Sequence, residues 1–350
     1  GFTRQDWWHS VGREARMLRS NVGVIDISNF AKYSCKGPGA EKWLNSVFAN
    51  KMPSEVGRSC LTPLISVFGG VAGDATVTRI SNDEFWVVSS GISERYQKRF
   101  YNNVRLPENT SFRSKTDEFC GFNIAGPKSR EILQRLSNED LSNKNWPFMR
   151  SGMLSIAGVM CLALRISFTG DLGWELYCEA NKQQIVYETL IQEAANKSGG
   201  PVGSRALMSL RIEKGYGSWS REYSPEVWPH ECGLDKLCKL DKCFLNRDKL
   251  EKNLKTNPRE SLRLIHLNEE DCNSSNADAT GGEPVFKNGK GLGRVTSGAY
   301  GYTVGMSLAL GYLKDTNPGD NVEVMVLGRP HRGKVLASSP FDPEGKILRG

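Results

Sequence analysis

The sequence predicts an α+β protein made of two similar lobes and a C-terminal β-barrel. Two observations lead to this fold class. A strand–Gly-Pro–helix unit occurs twice in the first half of the chain, and the segment from residue 261 onward consists of short strand-like runs separated by turn residues. Short strands at regular spacing are typical of small barrels. A chain of 350 residues has room for two or three such subdomains.

The repeated unit is built around two pairs, Gly37-Pro38 and Gly126-Pro127, which lie 89 positions apart. A predicted strand precedes each pair, over residues 31–36 and 122–125. Proline is favoured at the first position of a helix, and apolar residues follow each pair at helical spacing. These are Trp43, Leu44, Val47 and Phe48 after the first pair, and Ile132, Leu133 and Leu136 after the second. Recurrence of the whole unit indicates an internal duplication and therefore two similar lobes.

The other predicted elements follow from the same kinds of pattern. Helices are predicted over residues 11–18, 184–195 and 204–214, and barrel strands over 262–267, 283–286, 291–297, 307–312, 321–326 and 333–337. The charged run 250–260 is predicted to be a linker, and the polar run 269–282 a mobile loop. We therefore expect one domain over residues 1–250, containing both duplicated lobes, and a barrel domain over residues 260–350.

Composition and cysteine usage argue against several classes of protein. Lys and Arg exceed Asp and Glu by 46 to 39, which suits an anionic small molecule or RNA, but the excess is spread along the chain and a solvated surface is the default interpretation. Nine cysteines without a Cys-x-x-Cys pair indicate reduced thiols, in the cytoplasm or in the mitochondrial matrix of a eukaryote. The four histidines lack metal-ligand spacing and no apolar run is long enough to span a membrane, so neither a metal nor a membrane is expected.

One carboxylate, that of Asp74, stands at the end of a glycine-rich turn. The stretch Phe68-Gly69-Gly70-Val71-Ala72-Gly73-Asp74 precedes β-branched residues that are typical of a strand. Glycines let the chain turn sharply and leave space beside the backbone for a ligand. Asp74 is therefore a candidate catalytic residue. The alternative is an ordinary hairpin whose Asp bonds its own turn.

Four further stretches combine charged and aromatic residues, over positions 168–175, 210–217, 229–234 and 293–300. Taken singly, each has an ordinary explanation. Glu175 could face solvent, Arg211 and Glu213 could form a surface charge pair, and Tyr216 and Trp219 could be core residues. Only their occurrence together, in this order, points to a ligand site.

In that order the motifs resemble the folate-binding aminomethyltransferase family, named after the T-protein of the glycine cleavage system. They are Gly-Gly-x-x-Gly-Asp at 69–74, Thr-Gly-x-x-Gly-Trp-Glu-Leu at 169–176, Leu-Arg-Ile-Glu-Lys-Gly at 210–215 and Thr-Ser-Gly-Ala-Tyr at 296–300. Four more runs are most similar to the C-terminal folate module of sarcosine and dimethylglycine dehydrogenases: Val-Gly-Arg-Glu at 11–14, Glu-Cys-Gly at 231–233, Lys-Leu-Asp-Lys at 239–242 and Phe-Asp-Pro at 341–343. The resemblance covers nearly the whole chain.

The resemblance implies a three-lobed ring of two ferredoxin-like lobes and a C-terminal barrel, with tetrahydrofolate in the central hole. The Asp that matches Asp74 lies beside the reactive N5/N10 edge in this family, and the Glu that matches Glu175 binds the pterin edge. A carboxylate can accept both hydrogen bonds of that edge in a bidentate way. The other residues expected to contact folate are Phe168, Glu213, Tyr216 and Trp219, with Arg259 or Arg263 at its anionic glutamate tail.

Some positions depart from the family pattern. The T-protein usually has two adjacent acids where this chain has Gly73-Asp74, and a tyrosine where this chain has Phe168, so one hydroxyl is missing. The segment 220–230 is also unusual. For the segment 220–230, the resemblance therefore implies nothing about substrate or partner.

The resemblance implies a tetrahydrofolate-dependent one-carbon transferase that captures the methyl-derived carbon of a dimethylglycine- or sarcosine-type amine as 5,10-methylene-tetrahydrofolate. No Gly-x-Gly-x-x-Gly follows a strand in this chain, so FAD is expected only on an upstream domain or a flavin oxidoreductase partner. The first alternative is a free-standing demethylase or methyltransferase that yields 5-methyl-tetrahydrofolate. The second is a non-enzymatic folate or RNA-modification protein, although its Lys-Gly-Cys-Tyr-x-Gly-Gln-Glu motif is lacking and nucleic acid is not expected as a partner.

Overall fold

A computed structural model describes residues 2–350 of the chain. The elements up to the middle of the chain are α1 (Trp7–Ser20), β1 (Gly23–Asp26), β2 (Ala31–Lys36), α2 (Ala40–Val47), β3 (Ser59–Ile65), β4 (Val71–Ser81), β5 (Glu84–Ser89), α3 (Glu94–Asn102), β6 (Ser111–Ser114), β7 (Phe119–Ala125), α4 (Ser129–Leu136), β8 (Ser151–Ile156), β9 (Val159–Leu164), β10 (Gly173–Glu179) and α5 (Gln183–Ala195). The remainder are β11 (Gly200–Pro201), α6 (Ser204–Glu213), α7 (Arg247–Leu254), β12 (Ser261–Leu267), α8 (Glu269–Ser275), β13 (Pro284–Lys287), β14 (Lys290–Gly301), β15 (Met306–Leu313), β16 (Asn321–Val326), β17 (Arg329–Val335) and α9 (Lys346–Arg349).

The first lobe is an antiparallel sheet in the order β3-β4-β5-β2-β6. Helices α2 and α3 cover one face of this sheet. Trp43 and Leu44 from α2 and Phe100 from α3 are buried in the same cluster as Val77 of β4 and Val87 of β5. The opposite face of β4 is left open, and it carries the polar side chains that reach the cavity described below.

The second lobe repeats this arrangement with β8-β9-β10-β7-β1, extended by β11 at the edge. Strand β7 pairs antiparallel with β10 and β1, as β2 pairs with β5 and β6. Helices α4 and α5 bury Ile132, Leu133, Val186 and Leu190 against it. Strand β1 precedes the first lobe in the sequence but pairs in the second lobe, at the position that β6 occupies in the first. The chain therefore enters the second lobe, forms the first, and then returns.

The duplicated turns adopt the same backbone conformation. Gly37 has φ +126° and Gly126 has φ +120°, a region that L side chains rarely adopt. A Cβ atom would lie 2.1 Å from the Asn109 carbonyl oxygen at the first position, and 2.3 Å from the Leu18 carbonyl oxygen at the second. Each glycine lets a strand turn directly into a helix where another backbone segment passes close by. The predicted duplication of a strand–Gly-Pro–helix unit is confirmed.

The third lobe is a closed barrel of six strands in the order β12-β15-β14-β13-β16-β17. All its strand pairs are antiparallel. Alternate apolar side chains, such as Ile265, Val285 and Val324, fill the interior. The predicted fold class, α+β with two similar lobes and a C-terminal barrel, is confirmed.

Two local predictions are wrong. The first part of the charged run predicted as a linker, residues 250–254, belongs to helix α7, whose Leu250 is fully buried with Ala49, Ile65 and Phe244. The polar run predicted as a mobile loop begins with helix α8, whose N-terminus is capped by the Asn268 side chain. Both helices are short and mostly polar. One or two buried residues hold each in place, and this gives too weak an apolar pattern to predict a helix.

Candidate functional site

A cavity of about 400 Å³ lies between the two sheet lobes, the loop 216–223 and the C-terminal segment. Five of the residues singled out in the sequence line this cavity together: Asp74, Phe168, Glu175, Tyr216 and Trp219. They come from three separate parts of the chain. The fold therefore assembles one site from stretches that each had an ordinary explanation when taken singly.

Asp74 lies within strand β4, opposite Pro63 of β3. Because side chains alternate along a strand, Asp74 and Thr76 share the face that lines the cavity. Burial raises the pKa of Asp74 to about 6, partly offset by a hydrogen bond from its own backbone amide. Within residues 2–350 no side chain donates a hydrogen bond to this carboxylate. It is thus an acid with a pKa near neutral that is open to a ligand.

The glycines before Asp74 have a different function from the one predicted. The turn ends at Gly70, so Gly73 and Asp74 belong to the strand. A Cβ atom on Gly70 would lie 2.0 Å from the Pro225 carbonyl oxygen, and one on Gly73 would lie 2.1 Å from Nε2 of Gln97. The space beside these glycines is filled by protein, so the prediction that they make room for a ligand is wrong.

Glu175 lies on strand β10 in the second lobe and is only 6% exposed. The Tyr177 hydroxyl, two residues further along the same face, donates to Oε2 of Glu175 at 2.7 Å. Burial raises the pKa of Glu175 to about 7, although the Tyr177 hydrogen bond acts in the opposite direction. Oε1 has no hydrogen-bond partner among the described residues. Tyr177 therefore orients the carboxylate through Oε2, and Oε1 is available to a ligand.

Aromatic rings form flat walls in the cavity. Phe168 stacks on Tyr216, with ring centroids 6.1 Å apart and planes 19° from parallel. Trp219 stacks on Tyr96 of helix α3 at 5.7 Å and 26°. Such surfaces favour a planar ligand, because ring faces give large contact areas with little loss of side-chain entropy.

The loop 216–223 is fixed by the fully buried side chain of Glu222. Arg211 donates to Glu222 Oε2 at 2.9 Å, and the Ser218 backbone amide donates to the same oxygen at 2.9 Å. Thr296 and Ser297 of strand β14 donate to the other oxygen. Arg211 and the Thr-Ser-Gly-Ala-Tyr motif thus hold the loop in position through Glu222, and neither lines the cavity.

Three predicted ligand-binding residues lie outside the cavity, because protein partners hold them elsewhere. Glu213 is fully buried, accepts from Arg19 at 2.9 Å and from the Thr303 backbone amide at 2.9 Å, and joins α6 to α1 and the barrel. Arg259 makes two hydrogen bonds of 2.8 Å to Glu231. Arg263 donates to the Thr316 carbonyl oxygen at 3.0 Å. Their positions do not support contact with a ligand in this cavity.

The C-terminal segment closes one side of the cavity with Leu348. Lys214 and Asp342 form a buried ion pair of 2.8 Å at the start of this segment. Arg165, also fully buried, donates to the Arg349 carbonyl oxygen at 3.0 Å at its other end. No sequence motif indicated Leu348 as a cavity residue. Its position depends on Lys214 and Arg165, which hold the C-terminal segment in place.

Two other residues were missed by the sequence analysis. Tyr177 could have been found from its spacing, since residues i and i+2 of a strand share a face and Glu175 was already a candidate. Tyr223 also lines the cavity, but it lies in the unusual segment 220–230 where no family pattern applied.

Residues 2–350 contain no group of three or more His, Cys, Asp or Glu side chains arranged to hold a metal ion. Over the same residues, no helix is both long and apolar enough to cross a membrane. All nine cysteines are free thiols, and the sulfur atoms of Cys120 and Cys178 lie 3.2 Å apart on neighbouring strands.

Two family models match the chain. One, described as the GCVT N-terminal domain, matches residues 1–242, and the other, the glycine cleavage T-protein C-terminal barrel domain, matches residues 263–342. The chain belongs to the glycine cleavage T-protein family. The resemblance recognised in the sequence motifs is confirmed.

Individual relatives of this T-protein family member differ in length. Mouse (Mus musculus) mitochondrial dimethylglycine dehydrogenase is 33% identical over 343 residues, which are 96% of this chain and 39% of that protein. The aminomethyltransferase of Thermotoga neapolitana is 28% identical over 94% of this chain and 92% of its own length. The chain spans about two fifths of the length of the curated relatives that it matches first.

The fold is shared with a solved T-protein. The crystal structure of the glycine cleavage system aminomethyltransferase T from Bartonella henselae superimposes with a TM-score of 0.84 at 19% identity, covering 95% of this chain and 90% of that one. The likeness confirms the three-lobed architecture expected for the family.

Proposed function

We propose that this chain binds tetrahydrofolate in the central cavity and captures the methyl-derived carbon of an N-methyl amine as 5,10-methylene-tetrahydrofolate. The observation that carries the proposal is that one cavity of about 400 Å³ holds two buried carboxylates, Asp74 and Glu175, between aromatic walls. Membership of the T-protein family supports folate-dependent one-carbon transfer as the general class of activity.

The aromatic rings and carboxylates that line the cavity suit the flat shape and polar edge of a reduced pterin. Phe168, Tyr216 and Trp219 offer ring faces to a flat ligand. Oε1 of Glu175 is free, and Tyr177 holds the other oxygen, so the carboxylate is oriented to accept from the adjacent N–H and NH₂ groups of a pterin edge. With a pKa of about 7, Glu175 must lose its proton to act as this acceptor, so affinity for the ligand falls as the pH drops below 7.

Asp74 is suited to proton transfer beside the reacting atoms. When bound, tetrahydrofolate supplies two nucleophilic nitrogens, N5 and N10, that take up the carbon. A carboxylate with a pKa of about 6 is mostly ionised at neutral pH and can still hold a proton transiently. No side chain within residues 2–350 donates to Asp74, so its carboxylate is not tied up by an ion pair or by another side chain.

The carbon donor is proposed to be an amine of the dimethylglycine or sarcosine type, oxidised by a flavin enzyme on an upstream domain or on a partner subunit. The likeness to dimethylglycine dehydrogenase supports this assignment over almost the whole chain. The flavin is not assigned to this chain, which matches 39% of that relative.

The test is Asp74→Asn, an isosteric change that removes the proton-accepting group. Tetrahydrofolate binding is measured by anaerobic calorimetry, and formation of methylene-tetrahydrofolate is measured with a flavin dehydrogenase that oxidises the N-methyl amine. We expect normal folding and binding, with turnover lower by about 10²- to 10⁴-fold.

Asp83→Asn, in an exposed turn of the same lobe, is the matched control and is expected to match the wild type. Wild-type turnover by Asp74→Asn would refute the role of Asp74. Release of 5-methyl-tetrahydrofolate would contradict the proposed reaction, and salt-dependent tRNA binding without folate binding would contradict the proposed function.

A further inference from the structure

Tyr223 is another residue of this cavity whose polar group has no protein partner among residues 2–350. Its side chain lines the cavity and is partly buried there. Among residues 2–350, no group donates to the hydroxyl or accepts from it. Neither the family pattern nor the proton-transfer role of Asp74 accounts for this group.

The position of Tyr223 is fixed by its own loop. Its backbone amide donates to the Ser218 carbonyl oxygen at 3.1 Å, and its carbonyl oxygen accepts from the Ser220 amide at 2.9 Å. Ser220 adopts φ +67°, which closes this tight turn. The Tyr223 ring lies against Gly217, where a Cβ atom would be 2.7 Å from the ring and 2.8 Å from the hydroxyl oxygen. These contacts fix the position of the ring and of its hydroxyl.

The segment that follows Tyr223 is bonded to the hairpin that carries Asp74. The Ser66 hydroxyl donates to the Pro225 carbonyl oxygen at 2.9 Å, and the Val71 amide donates to the Val227 carbonyl oxygen at 2.9 Å. These contacts place Tyr223 on the first-lobe wall of the cavity, the wall of Asp74. Glu175 and Phe168 belong to the second lobe.

On the second-lobe wall, the Phe168 ring stacks on Tyr216 and carries no hydrogen-bond donor. A hydroxyl on the first-lobe wall can supply a donor that Phe168 cannot.

We propose that Tyr223 is a positioning residue whose hydroxyl donates a hydrogen bond to the N5–N10 edge of the bound folate, on the side that Asp74 faces. This inference rests on the proposed function. Burial and the nearby Asp74 carboxylate both raise the pKa of Tyr223, so the hydroxyl stays protonated and remains a donor at physiological pH.

The test combines a protein variant with altered ligands. Tyr223→Phe keeps the ring that packs on Gly217 and removes only the hydroxyl. Tyr187→Phe, on helix α5 outside the cavity, is the matched control. Binding of tetrahydrofolate, 5-deazatetrahydrofolate and 10-deazatetrahydrofolate is measured by anaerobic calorimetry, with thermal unfolding to confirm that each variant folds.

For Tyr223→Phe we expect about five- to tenfold weaker binding of tetrahydrofolate, the effect of one neutral hydrogen bond. With the analogue that lacks the accepting nitrogen, wild type and variant should bind equally, because the Tyr223 hydroxyl then has no acceptor on the ligand. Unchanged tetrahydrofolate affinity, or an equal loss with all three ligands, would overturn the inference while leaving the proposed function intact. Failure of the wild-type protein to bind tetrahydrofolate would instead refute the proposed function itself.

Discussion

Replacing Glu175 by Gln should stabilise the protein at alkaline pH and leave its stability unchanged in acid. Burial moves the pKa of Glu175 from its ordinary value of 4.5 to about 7 in the folded state. Each tenfold difference in proton affinity corresponds to about 1.4 kcal/mol, so an ionised Glu175 costs the folded state about 3 kcal/mol. The amide oxygen of Gln can still accept from Tyr177, and the amide carries no charge to desolvate.

The pH dependence of this gain has a definite sign. At pH values below about 4.5 the acid is protonated in the folded and unfolded chains alike, so wild type and variant unfold with similar free energies. Between about pH 4.5 and 7 the unfolded wild type releases the proton that the folded state still holds, and the wild type therefore loses stability relative to the variant. Above about pH 7 the difference is constant. For a chain of 350 residues, 3 kcal/mol corresponds to a rise of roughly 4 °C in melting temperature.

The assay is thermal unfolding followed by circular dichroism from pH 4.5 to 9. Glu179→Gln, on the same strand but exposed, is the matched control and should show no such pH-dependent gain. The reasoning fails if Glu175→Gln melts with the wild type at pH 8, or if it gains the same amount at pH 4.5. The same variant should bind tetrahydrofolate at least about tenfold more weakly, because an amide cannot accept both hydrogen bonds of the pterin edge.

Two substitutions outside the cavity test the contacts that hold its walls in place. Gly70→Ala should destabilise the protein by about 1–3 kcal/mol, because the new Cβ overlaps the Pro225 carbonyl oxygen. Gly291→Ala, which has room for a Cβ, should have little effect in the same urea titration, and equal midpoints for the two variants would contradict the close approach at Gly70. Arg211→Met should cost about 3–5 kcal/mol, since Glu222 is left as an unpaired buried charge. Adding Glu222→Leu to Arg211→Met should recover part of that loss in urea unfolding, and a purely additive further loss would show that charge burial is not the cause.

Much of the fold was predictable because its signals are local. The helical spacing after Gly37-Pro38 and Gly126-Pro127 predicted α2 and α4, and the barrel strands lie within a few residues of their predicted positions. Helices α7 and α8 were not predicted, since their stability comes from a few buried contacts made by otherwise polar segments.

The candidate site was predictable only in part. Asp74 and Glu175 could be found only because their motifs occur together in an order that resembles a known family, and both line the cavity. The position of Glu213 depends on Arg19, a residue nearly two hundred positions away, and no local pattern shows such a pairing. The same holds for Arg259, whose partner Glu231 lies in a separate turn.

The closure of the cavity by Leu348 bears on the order in which the cavity is assembled. Cavity walls come from residues as early as Phe30 and as late as Leu348. Domains generally fold in the order of their synthesis, so both sheet lobes can form before the segment with Leu348 is made. The complete pocket can exist only after Lys214 and Arg165 have captured the C-terminal segment, long after both sheets could have formed. A ligand that contacts Leu348 would therefore bind, and stabilise, only chains whose C-terminal segment has docked.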